Sequence, residues 1–182
     1  MKDFALHILD IAENSVIAGA SRIAIIIEMS RADDRLNISI TDNGRGMSRA
    51  EAIVACDPFY TTRTTRKVGL GLSFLRQAAE EAAGAMSIDS EPGMGTRVSA
   101  FCRAGHMDRK PIGDLAGAMV ALIAGAPDID ISLECASEGD YYRLDTASIR
   151  RELEDVPLNS PDVLDLIRRD IAEGTAELAG WA

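Results

Sequence analysis

The segment DNGRGM, residues 42–47, places one carboxylate directly before two glycines. The preceding residues 35–40 (RLNISI) alternate apolar and polar side chains, which is typical of a β-strand with one buried face. Asp42 therefore lies at the end of a predicted strand, where Gly44 and Gly46 would let the backbone approach a ligand closely. Alone, an aspartate before a glycine turn is often just a turn former.

Three further segments surround DNGRGM in the chain. DIAENSVIAGA (10–20) precedes it and carries Asp10 and Asn14, one helical turn apart. Two glycine-rich turns follow it, GLGL (69–72) and EPGMGT (91–96). A lone amide, lone carboxylates and glycine turns in this order are typical of a pocket for a nucleotide and its Mg²⁺ ion.

Residues 3–18 predict a helix with an apolar and a polar side. The apolar side is formed by residues three or four positions apart: Ala5, Leu9, Ala12 and Val16. On the opposite side lies a polar stripe formed by Asp3, His7, Asp10 and Asn14. We interpret His7 as a half-exposed helix residue.

The four segments resemble the N, G1, G2 and G3 boxes of the Bergerat-fold (GHKL, histidine-kinase-like) ATP-binding family. Its members include histidine kinases, type II topoisomerases, heat-shock chaperones, mismatch-repair ATPases and anti-sigma-factor kinases. The resemblance covers roughly residues 3–103, and PFYTTR (58–63) is similar to the F box and the following ATP lid. The predicted order is a helix (3–18), two strands (22–30 and 35–40), a short helix (48–55), a long helix (70–83) and a strand pair (85–91 and 96–103). This order agrees with an α+β fold, a two-layer α/β sandwich with a mixed sheet.

The resemblance implies roles for residues that would bind the adenine ring and the metal ion. Asp42, followed by Gly44 and Gly46, would accept a hydrogen bond from the adenine amino group. Thr96 would support the same ring, directly or through water. Asn14 would hold Mg²⁺, which needs few protein ligands because phosphates and water complete its shell.

The phosphates are predicted to bind at the start of a second long helix, residues 70–83. Free backbone N–H groups and the helix dipole favour phosphate there, at Gly69, Leu70 and Gly71. Three cations just before the helix could neutralise the triphosphate: Arg63, Arg66 and Lys67. The alternative for these cations is a solvated basic loop.

Asp10 is the residue on which catalysis depends. In the hydrolysing members of the family, a glutamate four residues before the metal-binding asparagine activates the attacking water. Asp10 has that position here and is one methylene shorter. We predict it as the general base, and a simple carboxylate on the helix surface is the alternative.

Residues 105–182 form a second region with a different charge balance. They contain 7 Lys and Arg against 16 Asp and Glu, whereas residues 1–104 contain 12 against 13. We predict an ATP-binding domain at 1–104 and a small acidic α/β extension at 105–182 that packs on it. The predicted elements of the extension are a helix from Pro111 to about Ala124, strands at 129–136 and 141–144, a short helix capped by Asp145 or Thr146, and a last helix after Ser160-Pro161.

The composition excludes several classes of protein. A net charge of −10 disfavours binding to nucleic acid, whose phosphates need clustered Lys and Arg. No apolar stretch is long enough to span a bilayer and no signal region is recognisable, so no membrane contact is predicted. The three cysteines lack metal or disulfide spacing, which favours a reducing cytoplasm.

These observations predict a Mg·ATP-binding protein that hydrolyses ATP slowly or regulates a protein partner according to the bound nucleotide. The extension resembles the C-terminal part of ATP-binding proteins found beside multisubunit hydrogenase components, which implies a redox or hydrogenase complex as the partner. Two alternatives remain, an anti-sigma-type protein serine kinase and a non-catalytic interaction module. A homodimer is also left open.

Overall fold

The computed structural model describes residues 2–55 and 71–178, which form a mixed six-stranded sheet packed against helices. The strands are β1 (Arg22–Ser30), β2 (Arg35–Asp42), β3 (Ala85–Glu91), β4 (Gly95–Cys102), β5 (Asp130–Ser137) and β6 (Asp140–Asp145). The helices are α1 (Phe4–Ile17), α2 (Arg49–Val54), α3 (Gly71–Glu81), α4 (Leu115–Gly125), α5 (Thr146–Leu153) and α6 (Pro161–Ala176).

The strands follow the order β3-β4-β2-β1-β5-β6. Every neighbouring pair is antiparallel except β1 and β5, which run parallel. The predicted α+β class with a mixed sheet is therefore confirmed. β5 and β6 belong to the region predicted as a separate extension and continue the same sheet, while the domain boundary at residue 104 stays a prediction.

The core lies on one face of this sheet. Val98, Ile40, Ile25 and Leu133 are register partners on four successive strands, and all are buried. They belong to one cluster with apolar side chains from helices of both regions: Ile8, Leu75, Met119, Ile123, Ile167 and Ile171. Burial of this shared apolar surface favours folding of the two regions together.

Local capping signals predicted several helix starts correctly. Ser48 and Glu51 form the reciprocal capping box of α2. Asp145 caps α5 by accepting from the amides of Ala147 and Ser148. These contacts involve residues close in sequence, so the pattern alone contains them.

The predicted start of helix α4 at Pro111 is wrong. α4 begins at Leu115, where Asp114 caps it by accepting from the amide of Gly117. The carbonyl oxygens of Pro111 and Ile112 instead accept from the amides of Phe4 (3.0 Å) and Ala5 (2.8 Å). The segment before α4 therefore satisfies N–H groups that the first turn of α1 leaves without an intrahelical partner.

The predicted polar stripe of α1 is only partly correct, because the helix is buried on more than one side. Helices α3 and α4 and strand β2 all contact α1. His7 is 1% exposed instead of half-exposed, and Ser15 is 3% exposed. Asp10 and Asn14 are half-buried.

His7 is a buried histidine without a hydrogen-bond partner on either ring nitrogen within residues 2–55 and 71–178. Burial lowers its pKa from 6.5 to about 4; the Lys110 charge acts in the same direction and Asp3 opposes it. The folded protein therefore keeps the ring neutral at pH values where the unfolded chain already binds a proton.

We expect His7 to make stability fall between about pH 6.5 and pH 4. The contribution of His7 to the free energy of unfolding is fully present above about pH 6.5. Below that pH the unfolded chain binds a proton at His7, which the folded protein does not bind until about pH 4. The loss should reach about 3 kcal/mol. Urea denaturation of wild type and His7→Leu at pH 7.5, 6 and 5 measures it as a difference that grows toward acid. If the free energy of unfolding changed with pH in the same way for both proteins, this expectation would be contradicted.

Within the described residues, no helix is long and apolar enough to cross a membrane.

Candidate functional site

Asp42 is a buried carboxylate at the last position of β2, 8% exposed. Its Oδ2 accepts from the Ser15 hydroxyl at 2.6 Å, and its Oδ1 accepts from the Gly44 amide at 2.8 Å. A carboxylate has about four acceptor positions, so each oxygen keeps capacity for another donor. The side chain is thus held in one orientation while it can still accept from a ligand.

The glycines around Asp42 allow backbone segments to pack closely. Gly46 has φ +64° and lies against the carbonyl group of Glu91, where a Cβ would collide. Gly95 has φ +97° and lies equally close to the carbonyl oxygen of Asp42. A Cβ on Gly44 would meet the Ala18 carbonyl oxygen at 3.0 Å. Close contact between protein segments therefore explains why glycines occupy these positions. The approach of a ligand to the same glycines stays a prediction.

Thr96 lies beside Asp42, because the two are register partners on β4 and β2. Its hydroxyl is 2.9 Å from the Ser90 hydroxyl on β3. Ser90 also accepts from the amide of Met47, at 2.8 Å, in the loop after Asp42. Asp42 and Thr96, which are predicted to bind the ring, thus lie side by side where β2 and β3 end and β4 begins.

Asp10 lies against the described N-terminal end of α3. A Cβ on Gly71 would collide with its Oδ2 and would lie 2.8 Å from its Cγ. The residue at this helix position must therefore be glycine as long as Asp10 keeps its place. The predicted base and one predicted phosphate-binding residue are adjacent, which their separation of 61 positions in sequence does not reveal.

Asn14 is half-buried on α1, one turn after Asp10 and next to Ser15. The described residues contain no group of three or more His, Cys, Asp or Glu side chains that could hold a metal. A single amide oxygen suits an ion such as Mg²⁺ that takes most of its ligands from phosphates and water. The donor set thus fits the predicted ion, and the role of Asn14 stays a prediction.

The predicted lid and several predicted phosphate contacts lie outside the described residues: Arg63, Arg66, Lys67, Gly69 and Leu70. Their roles stay predictions.

Sequence reasoning missed two residues of this neighbourhood, Ser15 and Ser90. Ser15 follows Asn14 directly and faces the interior of the protein, where an alanine would satisfy a helix more simply. The available signal was its position next to Asn14, because helical periodicity alone did not show that this serine is buried. Ser90 gave no comparable signal, because its partners come from two other segments.

Comparisons with known proteins identify the family of this chain. Residues 3–105 match the family model of histidine kinase-, DNA gyrase B- and HSP90-like ATPases. The chain is 30% identical over 91 residues to the sensor protein DegM of Bacillus sp. (strain B21-2) and 39% identical over 75 residues to a putative sensor protein of Shewanella frigidimarina (strain NCIMB 400). These matches cover 50% and 41% of the chain, which spans only 24% and 12% of the two relatives.

A crystal structure of the N-terminal domain of a DNA repair protein has a similar fold, with a TM-score of 0.55 at 16% identity. That likeness covers 100% of this chain and 58% of the other. The family match extends over more than half of the chain and contains Asp10, Asn14, Asp42 and Thr96. The chain therefore belongs to the histidine kinase-, DNA gyrase B- and HSP90-like ATPases, a family of ATP-binding domains.

Proposed function

We propose that the chain binds Mg·ATP with the adenine at Asp42 and the phosphates at the start of α3, and that it hydrolyses the nucleotide slowly to switch a partner protein. The observation that carries the proposal is that the side chains of two carboxylates, Asp10 on α1 and Asp42 on β2, both lie at this helix. Asp42 contacts α1 through Ser15, and Asp10 extends from α1 to Gly71. One helix thus joins the proposed ring end and the proposed phosphate end of the pocket.

The proposed division of labour follows from charge and position. Asp42 would accept from the adenine amino group, as a fixed acceptor suits a donor on the ring. Asn14 would hold Mg²⁺, which supplies positive charge to the phosphates when bound. Asp10 would accept a proton from the attacking water, for which its carboxylate must lie within hydrogen-bond reach of the water that attacks the γ-phosphate.

The partner is proposed to be a protein that binds the acidic extension, whose charge would complement a basic surface. A redox or hydrogenase complex is the partner that the resemblance of the extension suggests. If the attacking group were a serine hydroxyl of that partner, the same arrangement would serve a protein kinase. Both assignments are part of the proposal.

Turnover of ATP by Asp10 variants tests this function. Asp10→Asn is expected to lower phosphate release under saturating Mg·ATP by about 10²–10⁴-fold, since the amide cannot accept the proton. Affinity for ATP should stay within a few-fold, because a base acts on the attacking group. Glu13→Gln, an exposed carboxylate on the same helix, is the matched control and should retain full turnover.

The same assay with γ-labelled ATP and a lysate of the host separates the alternatives. Free phosphate supports the ATPase, and label on a protein supports the kinase. Retained ATP without either product supports the non-catalytic module. Turnover that Asp10→Asn leaves unchanged would contradict the base role.

A further inference from the structure

Ser15 has a contact that its place in a helix does not require. A serine inside a helix usually shares its hydroxyl with the carbonyl four residues earlier. Here that carbonyl oxygen, of Ile11, is 3.4 Å from Oγ, whereas Oδ2 of Asp42 is 2.6 Å away. The hydroxyl has one proton, and the shorter contact to the carboxylate identifies where that proton is donated.

The two donors to Asp42 come from different parts of the fold. Gly44 is two residues away and donates from the same loop, whereas Ser15 is 27 residues away on α1. A carboxylate with a donor on each oxygen cannot rotate without breaking one of these bonds. Both Ser15 and Asp42 are buried, so water does not replace a lost donor without cost.

We infer that Ser15 is a positioning residue that orients Asp42 toward the amino group of the adenine ring and thereby sets the base preference of the site. This inference rests on the proposed function, in which Asp42 binds the ring. Ser15 acts through Asp42, so its contribution should appear only with ligands that carry the amino group. Groups that hold a binding residue in place contribute to recognition in this indirect way.

The test compares ATP with purine riboside 5′-triphosphate, which is ATP without its 6-amino group. Calorimetric titration with both ligands is performed on wild type and Ser15→Ala. Wild type is expected to prefer ATP, and Ser15→Ala should lose about tenfold in ATP affinity through the disturbed hydrogen bond. Its affinity for the analogue should change less than twofold. An affinity change confined to ATP measures the energetic coupling between the Ser15 hydroxyl and the 6-amino group of the adenine ring.

Two further variants separate positioning from packing. Ser137→Ala removes another buried serine at the opposite end of the sheet, where Ser137 pairs with Met29, and should leave the ratio of the two affinities unchanged. Ser15→Cys replaces the hydroxyl by a somewhat larger thiol that is a much weaker donor, so it should show the same selective loss as Ser15→Ala. It replaces Ser15→Ala in the comparison if thermal unfolding shows that the alanine variant does not fold.

The outcomes separate this inference from the function on which it rests. A loss of ATP preference in the Ser15 variants supports the positioning role. Equal weakening of both ligands, or none, in a protein whose wild type prefers ATP overturns that role and leaves adenine binding at Asp42 intact. A wild type that binds both ligands equally overturns recognition of the amino group and the role of Ser15 with it.

Discussion

Asp42→Asn is expected to reduce ATP affinity by about 10–100-fold, the equivalent of one hydrogen bond to a charged group. The carboxylate accepts from Ser15 on one oxygen and from Gly44 on the other. An amide has a single oxygen, so its NH₂ group must face one of these two sides. With the oxygen turned to the Gly44 amide, the NH₂ group opposes the adenine amino group, and two donors then meet.

Calorimetric titration with ATP measures this loss. Asp89→Asn is the matched control, since Asp89 is an exposed carboxylate on β3 and its replacement should leave affinity unchanged. Urea denaturation without nucleotide checks that Asp42→Asn still folds. A folded variant that binds ATP as tightly as wild type would show that the ring binds elsewhere.

The parts of the fold and of the candidate site that could be predicted are those that short segments specify. Asp42 at a strand end and the capping box of Ser48 and Glu51 depend on residues within a few positions of each other. The order of the four glycine-containing segments indicated the protein family. Each of these features is visible in the chain without any knowledge of what packs against it.

The missed parts involve contacts between distant segments. Helical periodicity assigns one buried side to α1, yet α1 packs against the sheet and two helices, which buries His7 and Ser15 as well. The place of Asp10 beside Gly71 requires α3 to be positioned first. Periodicity distinguishes apolar from polar sides, and it carries no information on how many neighbours a helix has.

The same limit applies to the relation between the two regions of the chain. The strand pattern at 129–136 predicted a strand, and nothing local indicated that β5 pairs in parallel with β1. Parallel neighbours require a long connection and leave no turn signal between them. The charge difference between residues 1–104 and 105–182 predicted a boundary, which stays a prediction, and it gave no sign that one sheet runs through both regions.

A chain that ends at residue 104 is therefore expected not to fold on its own. It would expose β1, a strand from the middle of the sheet, over the eight positions that pair with β5. It would also lack Met119, Ile123 and Leu133, which are almost completely buried in the shared core. Loss of each such side chain costs about 2–5 kcal/mol, against a total stability of about 5–15 kcal/mol for a typical domain.

The truncation also removes the carbonyl groups of Pro111 and Ile112 from the first turn of α1, the helix that carries Asp10 and Asn14. Circular dichroism and urea denaturation of residues 1–104 should show no cooperative transition, and calorimetry should show no ATP binding. A chain that ends at Leu178 keeps every described contact and is the matched control. Cooperative unfolding together with ATP binding by residues 1–104 would instead establish them as an independent domain, with 105–178 as an addition to a sheet that is already stable.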